Sequence, residues 1–177
     1  IRPLERSRGL GDVYNRQTQC ASLVTSVTFD FETKSSYNVY INTNDGTDNY
    51  AKAFTVTVND VNDSTPTDLA ISSSTFAESI TSGTGVASIT TTDADTSAVN
   101  SFTYSLISGD GTNDADNGSF AISGSSLITS GTFNFETKSL LKVYLQVSDG
   151  VASYAKALSL TVSDVNETPT DISLTST

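Results

Sequence analysis

The sequence predicts an all-β protein built from immunoglobulin-like, Greek-key β-sandwich repeats in tandem. Apolar and polar residues alternate with a period of two along residues 141–147 and 158–162, which is typical of half-buried strands. Shorter alternating runs are separated by clusters of Gly, Asp, Asn and Ser, the residues that favour turns. The sequence also repeats itself at a fixed spacing, which indicates modules arranged in tandem.

The internal repeat divides the chain. Three motifs recur at an offset of 104 residues: Phe-Glu-Thr-Lys at 31–34 and 135–138, Asp-Gly at 45–46 and 149–150, and Tyr-Ala-Lys-Ala at 50–53 and 154–157. Residues 21–65 are interpreted as the C-terminal half of a truncated repeat, residues 66–168 as a complete repeat, and residues 169–177 as the start of a third. Residues 1–20, which contain all four arginines, have no counterpart and are predicted to be a leader without assigned function. The chain is therefore expected to be a fragment of a longer protein.

Seven strands are expected in the complete repeat. They are residues 69–72, 86–91, 102–107, 120–122, 127–129, 141–147 and 158–162. The predicted core contains the two long strands together with Phe102, Tyr104, Leu106, Phe120, Ile122 and either Phe133 or Phe135. The truncated repeat supplies only about three strands, which are too few to cover both faces of a sandwich, so it is expected to be poorly ordered or to pack irregularly against its neighbour.

Composition excludes several functional classes. The chain has 20 acidic and 9 basic residues and a net charge of -11, which disfavours nucleic acid and anionic membranes as partners. Histidine is absent, so Ser-His and Cys-His catalysis and His-ligated zinc are excluded. The single cysteine cannot form an internal disulfide, and no apolar run is long enough to span a membrane. We therefore expect a non-enzymatic protein whose natural counter-charges are cations.

Oxygen-bearing side chains gather near the ends of the predicted strands. They are Asp30 and Glu32; Asp60, Asn62 and Asp63; Glu78; Asp93, Asp95 and Asn100; Glu136; Asp149; and Asp164, Asn166 and Glu167. Carboxylates that gather without neighbouring bases repel one another unless a cation lies between them, and Ca²⁺ takes six to eight oxygen ligands. The junctions between repeats are therefore predicted to bind Ca²⁺.

The order of these motifs resembles that of the cadherin repeat over about residues 21–177. That family has an early Glu, an Asp-x-Glu before the penultimate strand, an Asp-x-Asp after the second strand, an Asp in a late loop, and an Asp-x-Asn-Asp-Asn linker. The matching segments here are, in the same order, 77–78, 30–32, 93–95, 148–150 and 60–63. This chain departs from the family pattern at Ser64, Asn134 and Glu167, which predicts fewer or looser ions.

The resemblance implies one set of Ca²⁺ ligands at each junction. The first set is Asp30, Glu32, Asp60, Asn62 through its backbone carbonyl, Asp63, Asp93, Asp95, Asn100 and Asp149. The second set, at the end of the complete repeat, is Glu78, Glu136, Asp164, Asn166 and Glu167. This second set is expected to be incomplete, because no whole module follows it in the sequence.

The resemblance also implies a function. The chain would be a fragment of a long adhesion or spacer protein, cell-surface or secreted, with a membrane-associated parent and with Ca²⁺ making the junctions rigid. Its partners would be Ca²⁺, neighbouring repeats of the same chain, and another adhesion protein or a surface polysaccharide. Trp is absent, so adhesion by an exchanged tryptophan side chain is not expected.

Other interpretations of the same residues remain. The acidic loop 109–118 and the tyrosines Tyr50, Tyr144 and Tyr154, which are predicted to be exposed, could form the contact face of a polysaccharide- or protein-binding module. The loop does not match the EF-hand spacing, so a flexible acidic loop is favoured over an additional ion site. Paired carboxylates also occur in glycosidases, but here the acids recur at junctions and there is no Trp to stack on a sugar. Asn-x-Ser/Thr sequences at 62, 117 and 166 match the glycosylation pattern and are interpreted as coincidence.

Overall fold

The structure is a computed structural model that describes residues 22–96 and 98–169. The predicted leader at 1–20 and nearly all of the predicted third repeat at 169–177 lie outside the described residues. The chain divides into two compact units, Ile1–Asp30 and Phe31–Thr177. Residues 22–30, the described part of the first unit, contain no helix or strand. Along the described residues, no helix is long and apolar enough to cross a membrane.

Among its described residues, the second unit contains ten strands and one short 3-10 helix, Asn117–Ser119. The strands are β1 (Ser36–Asn44), β2 (Asn49–Thr57), β3 (Asp68–Ile71), β4 (Thr75–Ala77), β5 (Gly85–Thr92), β6 (Thr103–Leu106), β7 (Phe120–Ser123), β8 (Ser126–Thr129), β9 (Leu140–Ser148) and β10 (Ser153–Ser163). Strands β3 to β10 form two four-stranded sheets, with the orders β4-β10-β9-β6 and β3-β5-β8-β7. The predicted all-β sandwich is confirmed.

Strand β4 was not expected, and the complete repeat has eight strands instead of seven. It contains only three residues, which is too short for an alternating pattern to be visible in the sequence. It pairs in parallel with the end of β10, with Phe76 opposite Val162, whereas the other paired strands are antiparallel. This pairing brings Glu78, which directly follows β4, beside the end of β10: its backbone N–H donates to the carbonyl of Ser163 at 3.2 Å.

The core lies between the two sheets, and β9 and β10 supply much of it. Leu141, Val143, Leu145, Val147, Leu160 and Val162 are all buried. Phe120 is buried as predicted, whereas the other predicted core residues, namely Phe102, Tyr104, Leu106, Ile122, Phe133 and Phe135, are half-buried and pack against the core. Leu69, Phe76, Ile89 and Leu127 were missing from the predicted core. Three of them lie on strands of three or four residues that carry little periodic signal, whereas Ile89 lies on the longer β5 among Ser and Thr residues.

Strands β1 and β2 form a regular antiparallel hairpin, with Ser36 opposite Thr57 and Asn44 opposite Asn49. The described residues 22–65 thus contain two strands instead of about three, and these two pair regularly with each other. The expectation of poor order or irregular packing against the neighbouring module stays a prediction. The hairpin begins 104 residues before β9 and reproduces the β9-β10 pairing.

The hairpin and its counterpart differ in burial. Ile41 of β1 is 44% exposed, whereas Leu145, at the equivalent position of β9, is 0% exposed. On the same face of the hairpin, Phe54 is also 44% exposed and Tyr50 is exposed. In the complete repeat the same face packs against the second sheet, so one strand pattern produces a core in one repeat and an exposed surface in the other.

Candidate metal centre

The linker from β2 to β3 lies along one end of the complete repeat and is hydrogen-bonded to it. The side-chain amide of Asn62 donates to the backbone carbonyl of Asp149 at 2.9 Å. The backbone N–H of Ser64 donates to the carboxylate of Asp95 at 3.1 Å. These two hydrogen bonds join the linker to the loops that follow β9 and β5, and both loops carry predicted ligands.

Asp60 forms a further connection between the linker and the complete repeat. Its Oδ2 accepts hydrogen bonds from the backbone N–H of Thr96, at 3.0 Å, and from the Thr96 hydroxyl. The hydroxyl hydrogen bond is the main reason why the pKa of Asp60 lies below its usual range. The other oxygen, Oδ1, is buried and has no hydrogen-bond partner.

Asp60 Oδ1 is one of five such atoms. The buried side-chain oxygens without a hydrogen-bond partner, among the residues the structure describes, are Asp60 Oδ1, Asn62 Oδ1, Asp93 Oδ2, Asn100 Oδ1 and Asp149 Oδ2. All five belong to the ligand set predicted for the first junction. Buried polar atoms are normally paired, and an unpaired one costs free energy, so five in one ligand set call for an explanation such as a bound ion.

Each of these side chains is held by its other polar atom, as Asp149 illustrates. Its Oδ1 accepts from the backbone N–H groups of Val151 at 2.7 Å and Ala152 at 2.6 Å, which forms a tight turn. Gly150 has a φ of 97°, a value that glycine adopts readily and that this turn requires. With Oδ1 used by the turn, Oδ2 is the oxygen left for a ligand.

The loop after β5 shows the same arrangement. Asp93 Oδ1 accepts from the backbone N–H of Asp95 at 2.9 Å, and the Asn100 amide donates to the backbone carbonyl of Asp95 at 3.0 Å. These bonds leave Asp93 Oδ2 and Asn100 Oδ1 without partners. Asn62 follows the same rule, because its amide nitrogen binds Asp149 and its side-chain oxygen remains. For Asn62 this geometry favours the side-chain oxygen over the backbone carbonyl that the sequence suggested.

Three carboxylates lie beside these oxygens. Glu32, Asp63 and Asp95 each have an oxygen within 4.8 Å of the others. A backbone hydrogen bond lowers the pKa of Glu32, but desolvation and the negative charges of Asp60, Asp63 and Asp95 outweigh it, so its pKa is raised. The raised pKa thus reflects desolvation together with repulsion among these acids, and a cation would relieve the repulsion. Asp30 is exposed and belongs to the first compact unit, so its role stays a prediction.

A second acidic cluster lies at the opposite end of the complete repeat. Glu78, Glu136, Asp164 and Glu167 each have a carboxylate oxygen within 4.8 Å of the others. Glu78 is buried, and the other three are exposed. The fifth predicted member, Asn166, is exposed, and its amide donates to the carbonyl of Glu167 at 3.3 Å. The structure thus brings together the four acids of the second predicted set.

Charge repulsion in the second cluster predicts an effect of Glu167→Gln. The pKa of Glu167 is raised by desolvation and then by the charges of Glu78, Glu136 and Asp164. An acid with a raised pKa in the folded state destabilises the fold once it ionises, so this cost is present at neutral pH and disappears as the pH falls through that pKa. In the presence of chelator at pH 7, thermal melting of Glu167→Gln should therefore show a small increase in midpoint.

The matched control is Asp48→Asn, which removes the same charge from the β1-β2 turn. Its melting midpoint should not change at pH 7, and neither variant should gain stability at pH 3, where carboxylates are largely protonated. A decrease in midpoint for Glu167→Gln in chelator would show that repulsion among the carboxylates of the second cluster does not destabilise the fold.

The acidic loop 109–118 is held by its own hydrogen bonds. Asp110 accepts from the backbone N–H groups of residues 112 and 113, and Asp114 accepts from those of residues 109 and 111. Asp116 pairs with Lys138 at 2.6 Å. Both polar atoms of the Asn117 side chain are also bonded, to the carbonyl of residue 107 and the N–H of residue 144. The loop therefore has a defined structure, and its carboxylates are already used internally.

The three tyrosines considered for a contact face are not equally exposed. Tyr50 is exposed, whereas Tyr144 and Tyr154 are half-buried, and Tyr154 packs against the core. The prediction that Tyr144 and Tyr154 are exposed is therefore wrong. Tyr154 pairs opposite the buried Val147, and Tyr144 lies on β9, which is flanked on both sides by β10 and β6.

Comparison with solved structures identifies related folds. The chain is similar to protocadherin gamma B7 extracellular repeats 3–6, solved as a cis-dimer, with 25% identity, a TM-score of 0.55, and coverage of 81% of this chain and 35% of that chain. Protocadherin gamma B2 extracellular cadherin domains 3–6 give 23% identity, a TM-score of 0.55, and coverage of 81% and 34%. Human protocadherin-24 repeats 1–2 give 19% identity, a TM-score of 0.57, and coverage of 79% and 71%.

These similarities show the fold. The chain spans about a third of the length of the first two of these structures. No family model matches the sequence, and no curated protein is significantly similar to it. The fold is therefore recognised from the structure, because the sequence identity to these solved structures is only 19–25%.

Proposed function

We propose, from the premise that residues 66–168 form a cadherin-like repeat, that this chain is part of an extracellular adhesion or spacer protein whose repeats are joined by Ca²⁺. The fold is that of cadherin extracellular domains. The first junction would be a Ca²⁺ site formed by the linker, the segment around Glu32, and the end of the complete repeat. The cluster around Glu78 would be the corresponding half-site at the opposite end.

One observation carries this proposal. The five buried, unpaired oxygens at the first junction come from two Asn and three Asp side chains, and a carboxylate group of three acids lies beside them. All these donors are hard oxygen ligands, and their number fits the six to eight oxygens that Ca²⁺ takes. Zinc would instead favour His or Cys ligands, and the chain has no His. The donor set therefore fits Ca²⁺.

The mechanism would be electrostatic. When bound, the cation supplies positive charge that offsets the repulsion among the carboxylates. Glu32 precedes β1, Asp63 lies in the linker, and Asp95 follows β5, so these acids come from three separate parts of the chain. Attraction of all three to one charge would resist bending of the linker, because bending would separate them. A protein that has to span a distance or transmit force needs such stiffness.

This function requires no catalysis. The acids lie at the two ends of a repeat, and the buried ones have their second oxygen engaged in turns and linker contacts. The alternative, a polysaccharide-binding face at the loop 109–118, is not supported, because the carboxylates of Asp110, Asp114 and Asp116 bind groups of the chain itself. Neighbouring repeats are the proposed partners, and the similarity to extracellular cadherin domains supports the proposal of an extracellular or cell-surface location.

Thermal melting with and without Ca²⁺ tests the proposal. At a Ca²⁺ concentration about 100-fold above Kd, binding to the folded state alone stabilises it by about 2.7 kcal/mol. For a domain of this size, that corresponds to a rise in midpoint of roughly 10 °C. The double variant Asp93→Asn, Asp95→Asn should lose most of this rise, because it removes two charges from the first junction.

The control for this experiment is the double variant Asp110→Asn, Asp114→Asn, which removes the same charge from the loop 109–118. It should keep the full Ca²⁺-dependent rise, even if its midpoint in chelator changes. If the wild-type midpoint did not respond to Ca²⁺, the proposed function would be refuted. If the junction variant kept the Ca²⁺-dependent rise, the ion responsible for it would bind somewhere other than the first junction.

A further inference from the structure

The two oxygens of Asp60 differ in their surroundings. Oδ2 accepts two hydrogen bonds from Thr96, one from the backbone N–H at 3.0 Å and one from the side-chain hydroxyl. Oδ1 is buried and has no hydrogen-bond partner. Thr96 therefore fixes the rotation of the carboxylate, because the oxygen it binds cannot also be the one turned toward the other unpaired oxygens.

Thr96 lies outside every motif that carries the proposed ligands. It follows Asp95 directly, on the complete repeat, whereas Asp60 lies in the linker 36 residues earlier. Threonine is exposed in loops of many proteins and gives no signal in sequence. Only the folded structure, which places the Asp60 carboxylate beside the Thr96 hydroxyl, distinguishes Thr96 from other exposed threonines.

The contacts that hold the linker are made within the chain itself. Besides the Asp60–Thr96 pair, Asn62 binds the carbonyl of Asp149 and the N–H of Ser64 binds Asp95. All of them are hydrogen bonds between protein atoms, so they can form before a cation arrives. They would therefore keep the linker against the complete repeat in the absence of a cation.

We propose that Thr96 is a positioning residue of the first junction: its hydroxyl clasps Asp60, orients Oδ1 toward the cation, and holds the linker in place when no cation is bound. This inference rests on the proposed Ca²⁺ function for its effect on affinity, but the clasp itself does not. Pre-organised ligands bind more tightly because less conformational freedom is lost on binding, and groups that orient metal ligands influence affinity strongly.

The test compares Thr96→Val, which removes the hydroxyl and keeps the shape, with Thr96→Ser, which keeps the hydroxyl. Calorimetric titration of the whole chain with Ca²⁺ should show about tenfold weaker binding for Thr96→Val, because a hydrogen bond to a charged group is lost. Thr96→Ser should bind within about twofold of wild type, since its hydroxyl can make the same bond. Thr67→Val is the matched control, because the Thr67 hydroxyl binds the carbonyl of Thr92 at 3.3 Å and touches no proposed ligand.

A second measurement follows the clasp without any cation. In chelator, amide hydrogen exchange in residues 60–64 should be faster in Thr96→Val than in wild type, Thr96→Ser or Thr67→Val, while exchange in β9 and β10 stays unchanged. Unchanged exchange in Thr96→Val, or an equal effect of Thr96→Ser, would refute the clasp. Wild-type affinity for Ca²⁺ in Thr96→Val would refute the positioning role.

The two proposals fail in different ways. If wild-type protein took up no Ca²⁺, the proposed function would be refuted and with it the effect of Thr96 on affinity, while the exchange measurement in chelator would still decide the clasp. If wild-type protein bound Ca²⁺ and Thr96→Val bound it equally well, only the inference about Thr96 would be wrong.

Discussion

Leu145→Ala is expected to destabilise the complete repeat by about 2–5 kcal/mol, which is the usual cost of truncating a buried leucine to alanine. Leu145 lies at the centre of β9, is 0% exposed, and belongs to the core between the two sheets. Both neighbouring strands, β6 and β10, pair with its own strand, opposite Leu106 and Lys156, so the backbone cannot easily close the cavity. Denaturant unfolding at neutral pH measures the change, and the melting midpoint should fall by about 10 °C or more.

The internal repeat offers a matched control, Ile41→Ala. Ile41 occupies the equivalent position of β1 but is 44% exposed. Its truncation should change the free energy of unfolding of the complete repeat by less than about 0.5 kcal/mol, as expected for a surface site. Similar losses for the two variants would show that the face of the β1-β2 hairpin is as well packed as the core, contrary to the structure.

The long strands could be predicted because they are buried on one face only. Leu141, Val143 and Leu145 alternate with more polar residues over the seven positions 141–147, and this period is visible in the sequence without knowledge of the neighbouring strands. Strand β4 could not be predicted in this way, since a three-residue strand has no period. Its place is set by pairing with the end of β10, a contact between residues 76 and 162 that local sequence does not encode.

The degree of burial of the repeated segments also could not be predicted from the local sequence. Val39 and Val143 lie at equivalent positions of the two repeats, and both segments carry the same alternation. Val143 is 0% exposed because the sheet β3-β5-β8-β7 covers it, whereas Val39 is only half-buried. The pattern therefore identifies the inner face of a strand, but burial depends on which other strands the chain supplies.

The acidic residues of the candidate site could be found in sequence because their order resembles a family pattern. Which oxygen of each residue is left for a ligand could not, because that depends on hydrogen bonds across the fold. Asp149 and Asp93 each use Oδ1 in a local turn, which follows from the preference of Asp for such turns. The hydrogen bonds of Thr96 and Ser64 were not predicted, since their contacts with Asp60 and Asp95 arise only when the linker folds back.

Glu78→Gln is expected to destabilise the complete repeat even without Ca²⁺. Glu78 is buried, its Oε2 accepts from the backbone N–H of Phe135 at 2.7 Å, and its Oε1 accepts from that of Val165 at 2.8 Å. These hydrogen bonds, first the one from Phe135, keep the pKa of Glu78 below its usual range. Glutamine has a single acceptor oxygen, so one backbone N–H would face an NH₂ group and stay unpaired. In chelator at pH 7, the melting midpoint should fall by roughly 5–10 °C.

The pH dependence of this effect has a definite sign. Since the pKa of Glu78 is lowered on folding, its ionised form stabilises the fold above the ordinary value of 4.5, and this contribution is lost as the pH falls through the folded-state pKa. The difference between wild type and Glu78→Gln should therefore be largest near neutral pH and should shrink in acid. Chelator is essential here, because Ca²⁺ bound at the cluster would add its own stabilisation to the wild type.

Glu136→Gln separates the structural role of Glu78 from the charge of the cluster. Glu136 belongs to the same group of four acids but is exposed. Its neutralisation in chelator should leave the midpoint unchanged or raise it slightly, because it reduces repulsion among the acids. Equal losses for the two variants would mean that the hydrogen bonds of Glu78 do not matter for folding. A loss confined to Glu78→Gln would show that one carboxylate holds the segment before β9 and the start of the second linker together, so that this half-site is already assembled when a cation binds.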